Sequence, residues 1–133
     1  METIKRAEVG SLSTVDLSAE IAQFGQRKPW ASGIASKTVF KSDDIRLVLI
    51  AMERGARMPE HHADGSIVVQ VLKGSIKLWV ENQTVQLGVG QFLTLGRSIK
   101  HDVEALEDAA FLLTISWPAD SELRSLKHRG YGS

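Results

Sequence analysis

The sequence predicts an all-β barrel with one short helix near its amino terminus. From Gly33 onward the chain consists of short apolar or alternating runs, the period-2 pattern of strands rather than the 3.6-residue period of helices. Turn signals separate the runs, at Asp43, Asp64–Gly65, Gly74, Asn82 and Gly88–Val89–Gly90. Connections this short favour antiparallel neighbours, because a parallel crossover needs about a dozen residues or more.

The helix comes first. Leu17, Ile21 and Phe24 fall at i, i+4 and i+7, with Ser13 or Asp16 as cap and Gly25 at the close. It reads as a packing element that covers the barrel. Eight strands follow: Gly33–Lys41, Asp44–Glu53, Ile67–Lys73, Ser75–Glu81, Gln83–Leu87, Gln91–Leu95, His101–Ala105 and Ala109–Trp117. The second is apolar on both faces, with Ile45, Leu47 and Leu49 on one and Val48, Ile50 and Met52 on the other. One face can fill the barrel, and the other needs a cover. The expected cover is a second subunit in a homodimer, with the helix, Trp30 and the terminal segments as the alternative. Pro118 ends the last strand, Ala119–Leu126 suits a second short helix, and a polar tail follows. The chain thus divides into an amino-terminal segment (1–32), a barrel (33–117) and a tail (118–133).

A length of 133 residues suits one domain. Lysine plus arginine equal aspartate plus glutamate at 16 each, so no net positive field attracts nucleic acid or an anionic membrane. The absence of cysteine excludes disulfides, thiolate metal ligands and a cysteine nucleophile, so any metal must use nitrogen and oxygen donors. Residues 1–10 carry Glu2, Lys5, Arg6 and Glu8 and lack the apolar core of a signal peptide. No run approaches the ~20 apolar residues of a membrane span. The expected location is the cytoplasm.

Three of the four histidines, His61, His62 and His101, lie at turn-to-strand junctions, and His128 lies in the tail. Imidazole is the commonest metal ligand, and two clusters about 40 residues apart can face each other across a closed barrel.

The segments around these histidines resemble the two motifs of the cupin superfamily. The first motif runs glycine, five residues, His-x-His, three or four residues, glutamate, six residues, glycine. Gly55, His61 and Gly74 stand in that register. The second runs glycine, five residues, proline, one residue, glycine, two residues, histidine, three residues, asparagine, and Gly90 and His101 fit it. The resemblance covers roughly residues 40 to 117. It implies a small single-domain double-stranded β-helix, or jelly-roll, barrel with a ligand pocket at its mouth. It also implies a four-ligand metal centre, which this sequence does not complete. The second histidine falls on Ala63, the glutamate on Ile67 (or Val68), and the proline, glycine and asparagine on Gly96, Ser98 and Ala105.

A third histidine is available in His62. Strict pleating would point it away from His61, but Pro59 and the turn at Asp64–Gly65 relax that constraint. His61, His62 and His101 with water would then form an open site for one divalent transition metal, zinc, iron, nickel or copper. Glu60, Asp64 and Gln70 are further donors nearby, though nothing in the spacing demands them. With His61 and His101 turned inward, Ala63, Ile67, Val69 and Val103 share their wall, so the expected pocket is apolar with a few polar groups. The same residues also describe a barrel filled by its own core.

Other chemistry is less well supported. Ser66 and Ser75 lack a nucleophile-elbow context, and Gly88–Val89–Gly90 is a turn rather than a phosphate loop. Trp79, Trp117 and Phe111 suit packing better than stacking on a ligand. Arg46, on an apolar strand, suits either an acid anchor or an exposed edge. Two functions compete: a small-molecule-binding cupin, and a metal-dependent cupin enzyme of dioxygenase or isomerase type. A third possibility is a filled barrel acting only through its dimer surface.

Overall fold

The computed structural model describes residues 5–6 and 12–117. The tail, with His128 and the helix expected at 119–126, lies outside the described residues, as does the His61 side chain. The short strands β1 (Lys5–Arg6) and β2 (Ser13–Thr14) pair with each other. Helix α1 (Leu17–Gly25) starts where Asp16, in an extended conformation, accepts a hydrogen bond from the Ala19 N–H at 3.1 Å. That carboxylate satisfies one of the unpaired donors of the first turn.

Nine strands make the barrel: β3 (Ile34–Lys41), β4 (Ile45–Met52), β5 (Arg57–His61), β6 (Ser66–Lys73), β7 (Ser75–Val80), β8 (Gln83–Gly88), β9 (Phe92–Leu95), β10 (His101–Ala105) and β11 (Ala109–Ser116). They form two antiparallel sheets, ordered β3-β4-β11-β6-β9 and β5-β10-β7-β8. From β4 to β7 the chain steps from one sheet to the other at every connection, and it does so again from β8 to β11. This double winding is the jelly-roll, or double-stranded β-helix, arrangement.

The eight expected strands are present, and β5 is additional. It contains Pro59, which argues against a central strand. The resolution is that β5 is an edge strand, and its register to β10 slips between His61↔His101 and Met58↔Val103. Pro59, lacking an N–H, falls in that irregularity.

The period-2 pattern of β4 sorts its side chains into two cores. Val48, Ile50 and Met52 face inward with Ile67, Val71, Leu78 and Phe111. Leu49 and Ala51 face outward and meet Phe24, with Ile21 and Trp30 packed alongside. The Trp30 indole donates to the Phe24 carbonyl at 2.9 Å, and the two rings meet edge to face. Glu20, buried on α1, pairs with Lys37 of β3 at 2.9 Å. The outer face of β4 is thus covered within the chain at Leu49 and Ala51, by α1 and Trp30, while Ile45 and Leu47 are half-buried. No helix among the described residues is long and apolar enough to cross a membrane.

Candidate functional site

The mouth of the barrel is set by strand register. Arg46, Ile115, Ile67 and Leu95 stand opposite one another across the five-stranded sheet, at the start of β4 and the end of β11. On the other sheet His61, His101 and Val80 form the matching row, at the end of β5 and the start of β10. Hydrogen bonds tie the two loops beside these rows. The Ser98 N–H donates to the Ala63 carbonyl at 2.8 Å, and the Ser98 hydroxyl to Asp64 Oδ1 at 3.3 Å. Ser98 occupies the position of a motif glycine, and its φ of 62° is in the left-handed region that glycine adopts without strain.

A cavity of about 550 Å³ opens here, within the range of small-molecule sites. Its β3 wall carries Ile34, Ser36 and Thr38, and its β4 wall carries Arg46, Val48 and Ile50. Leu113 and Ile115 of β11 and Ile67 of β6 continue the apolar surface. The opposite side brings Met58, His62, Ala63 and His101. Its lining thus draws on β3, β4, β6 and β11 of one sheet and on β5 and β10 of the other, with His62 and Ala63 between β5 and β6.

Of the residues singled out in the sequence, Ala63, Ile67 and His101 line this cavity together, and so does His62, which is solvent-exposed. Val69 and Val103 do not: they are 1% and 2% exposed and packed into the core. They alternate correctly along their strands, but the interior next to them is filled. The His61 backbone pairs directly with His101. Glu60 and Gln70 are exposed, and Asp64 is buried beside Ser98. Phe111 is core, while Trp79 lies between Arg57 and Lys77 at cation–π distances of 4.5 and 5.0 Å. Hydrogen bonding to Asp102, at 2.6 Å, raises the Arg57 pKa.

His101 is 3% exposed, and its Nδ1 lies 3.0 Å from the Ile99 carbonyl. A carbonyl only accepts, so Nδ1 is the donor of this hydrogen bond. Arg46, half-buried, directs Nε and Nη2 at Thr38 Oγ1, at 3.4 and 3.2 Å. Ser36, Thr38 and the position of Arg46 in the wall lie outside both sequence motifs. The one available signal was an arginine at an inward position of an otherwise apolar strand.

The described residues do not fit a four-ligand metal centre. Two of the four ligand positions hold the buried apolar side chains Ala63 and Ile67. No cluster of three or more histidine, aspartate or glutamate side chains able to hold a metal is found among the described residues.

Residues 48–116, just over half of the chain, match the family model described as the cupin domain. No curated protein matches the sequence. Several solved structures are similar in fold. A conserved protein of unknown function from Streptococcus pyogenes is 21% identical with a TM-score of 0.66, covering 89% of this chain and 96% of that one. KdgF from Halomonas sp. is 24% identical with a TM-score of 0.62, covering 70% and 88%. An RmlC-like cupin family protein with a double-stranded β-helix fold from Methanocaldococcus jannaschii is 18% identical with a TM-score of 0.61, covering 74% and 92%. At these identities the likeness is one of fold.

Proposed function

Because this chain belongs to the cupin family, we propose that it is a small-molecule-binding cupin whose ligand enters the barrel mouth. The observation that carries this reading is the cavity of about 550 Å³, apolar along β4 and β11 and polar at its rim. Protein interiors close-pack to few voids larger than a water molecule. A space this large beside a filled core is what a bound organic molecule requires.

Phenylbutanol, neutral and half apolar, is a suitable probe. Its titration is expected to shift the methyl resonances of Ile50, Ile67 and Leu113 in the wild-type protein, and Leu113→Trp, which narrows the space, to weaken the shifts at Ile50 and Ile67. Unmoved wild-type methyls would sink the reading.

The metal-dependent alternative, of dioxygenase or isomerase type, needs donors that Ala63 and Ile67 do not supply. Stoichiometric transition metal in untagged protein, lost in His101→Ala, would replace the binding reading with that one. A homodimer belongs to the proposal as well, through the edge strand β9, where Phe92 is 63% and nearby Val89 65% exposed. Sedimentation at the monomer mass would remove it.

A further inference from the structure

We propose that Ser98 is a positioning residue for the cavity, a latch to Asp64 that holds the β9–β10 loop against the β5–β6 loop and so fixes His101 relative to His62 and Ala63. This role rests on the cavity being a ligand site and identifies what holds two of its walls in place.

The two walls come from separate segments. His62 and Ala63 belong to the loop between β5 and β6, His101 is the first residue of β10, and all three line the cavity. Ser98 joins those segments twice, through its N–H to the Ala63 carbonyl at 2.8 Å and through its hydroxyl to Asp64 Oδ1 at 3.3 Å. His101 is tied to the same loop one residue further on, by Nδ1 to the Ile99 carbonyl at 3.0 Å. The Asp64 side is itself held. Gly65, the next residue, lies so close to β11 that a Cβ there would run into the Ser116 carbonyl. A continuous set of contacts thus runs from the end of β11 through Asp64 and Ser98 to the His101 ring.

Two costs meet at this latch. Ser98 has a φ of 62°, where a side chain crowds its own backbone and glycine does not. Asp64 is 2% exposed and its Oδ2 has no hydrogen-bond partner among the described residues, although a carboxylate oxygen taken out of water is stabilised only by such partners. Neither cost is needed to turn the chain. A glycine at 98 would adopt the same backbone without strain and donate the same N–H to Ala63. What the serine adds is a hydroxyl, and that hydroxyl is directed at Asp64. Local strain held in place by its surroundings marks a point where geometry outweighs stability. Removing the hydroxyl should therefore loosen the two loops without unfolding the barrel.

The test compares Ser98→Gly and Ser98→Asn with wild type in the full chain by three measurements. These are hydrogen exchange of the residue-98 amide, corrected for its intrinsic rate, phenylbutanol affinity read at the Ile50 and Leu113 methyls, and the urea midpoint. In Ser98→Gly, amide protection is expected to fall at least about tenfold and phenylbutanol affinity about threefold, because a loosened wall must be ordered on binding. The urea midpoint is expected to stay at the wild-type value, since relief of strain offsets the lost hydrogen bond. Asparagine tolerates the left-handed backbone and offers a side-chain N–H to the carboxylate. Ser98→Asn is therefore expected to restore protection and affinity to within about twofold of wild type. Unchanged protection in Ser98→Gly would overturn the latch. Faster exchange with unchanged affinity would overturn the positioning role and leave the cavity reading intact. A urea midpoint that falls together with affinity, or no recovery in Ser98→Asn, would make the serine merely structural and overturn the role as well. No methyl shift in the wild-type protein would remove the cavity reading and the positioning role together.

Discussion

On the β7–β8 side of the interior, Ile76, Leu78 and Leu87 meet Val69, Val71 and Val103, and none of the six is more than 6% exposed. On the β3–β5 side the inward positions are Ile34, Ser36, Thr38 and Met58, and the cavity lies among them. Both sides belong to one double-wound barrel with the same pleat. What differs is side-chain size and polarity: branched aliphatics interlock where serine, threonine and Ala63 leave space. Apolar filling is favourable by roughly 25 cal/mol per Å² of surface removed from water. Side chains that border the cavity give up part of the stabilisation that those of the filled side gain.

Truncation should separate the two sides most strongly. Leu78→Ala, in the filled half, is expected to cost about 2–5 kcal/mol, because the close-packed surroundings cannot collapse onto the void. Leu113→Ala, whose side chain already borders the cavity, is expected to cost under about 2 kcal/mol, since part of its surface has no packing partner to lose. Urea denaturation of both variants gives the comparison. Equal losses would mean that the cavity wall is packed as tightly as the core.

Enlargement reverses the logic with a smaller effect. Val103→Phe forces a ring into occupied space and is expected to destabilise by about 1–3 kcal/mol. Leu113→Phe directs a ring into the cavity and is expected to stay within about 1 kcal/mol of wild type, while weakening phenylbutanol binding. A similar penalty for both substitutions would remove the distinction between the halves.

Most of the fold could be read from the sequence because period-2 alternation and turn residues act locally. The resemblance of Gly55, His61, Gly74, Gly90 and His101 to the two cupin motifs pointed to the mouth, where Ala63, Ile67 and His101 border the cavity. Gly74 shows why such a position is readable: its φ is +70°, and a Cβ there would run into the Asp108 carbonyl. Strand β5 was not readable, because Pro59 signals a break locally and is accommodated only by an edge position that the chain's own text does not reveal. Ser98 was equally opaque, since serine gives no sign of a left-handed backbone. The cavity's far wall, Ser36, Thr38 and Arg46, comes from strands outside both motifs and reaches the histidines only through the winding of the two sheets. Nor could alternation distinguish Ile67, which borders the cavity, from Val69, which lies in the core: both face inward, and the filling of space around them is a tertiary property.

The missing metal ligand gives the finest measure of the hollow side. Ala63 lines the cavity beside His62 and stands where the family motif carries its second histidine. The cavity leaves room for an imidazole, so Ala63→His should fold as wild type does, whereas a histidine at the filled position, Val103→His, buries a polar ring without space or partner. Ala63→His adds a donor next to His62 and across from His101, in a wall that offers no carboxylate. The expected gain in Co²⁺ affinity is about tenfold, or ~1.4 kcal/mol, followed by the visible absorption of the bound ion. The gain should be modest because the glutamate position remains Ile67. Unchanged affinity in a folded Ala63→His protein would place residue 63 too far from the two histidines for a shared ligand, and would leave the hollow half suited to an organic molecule alone.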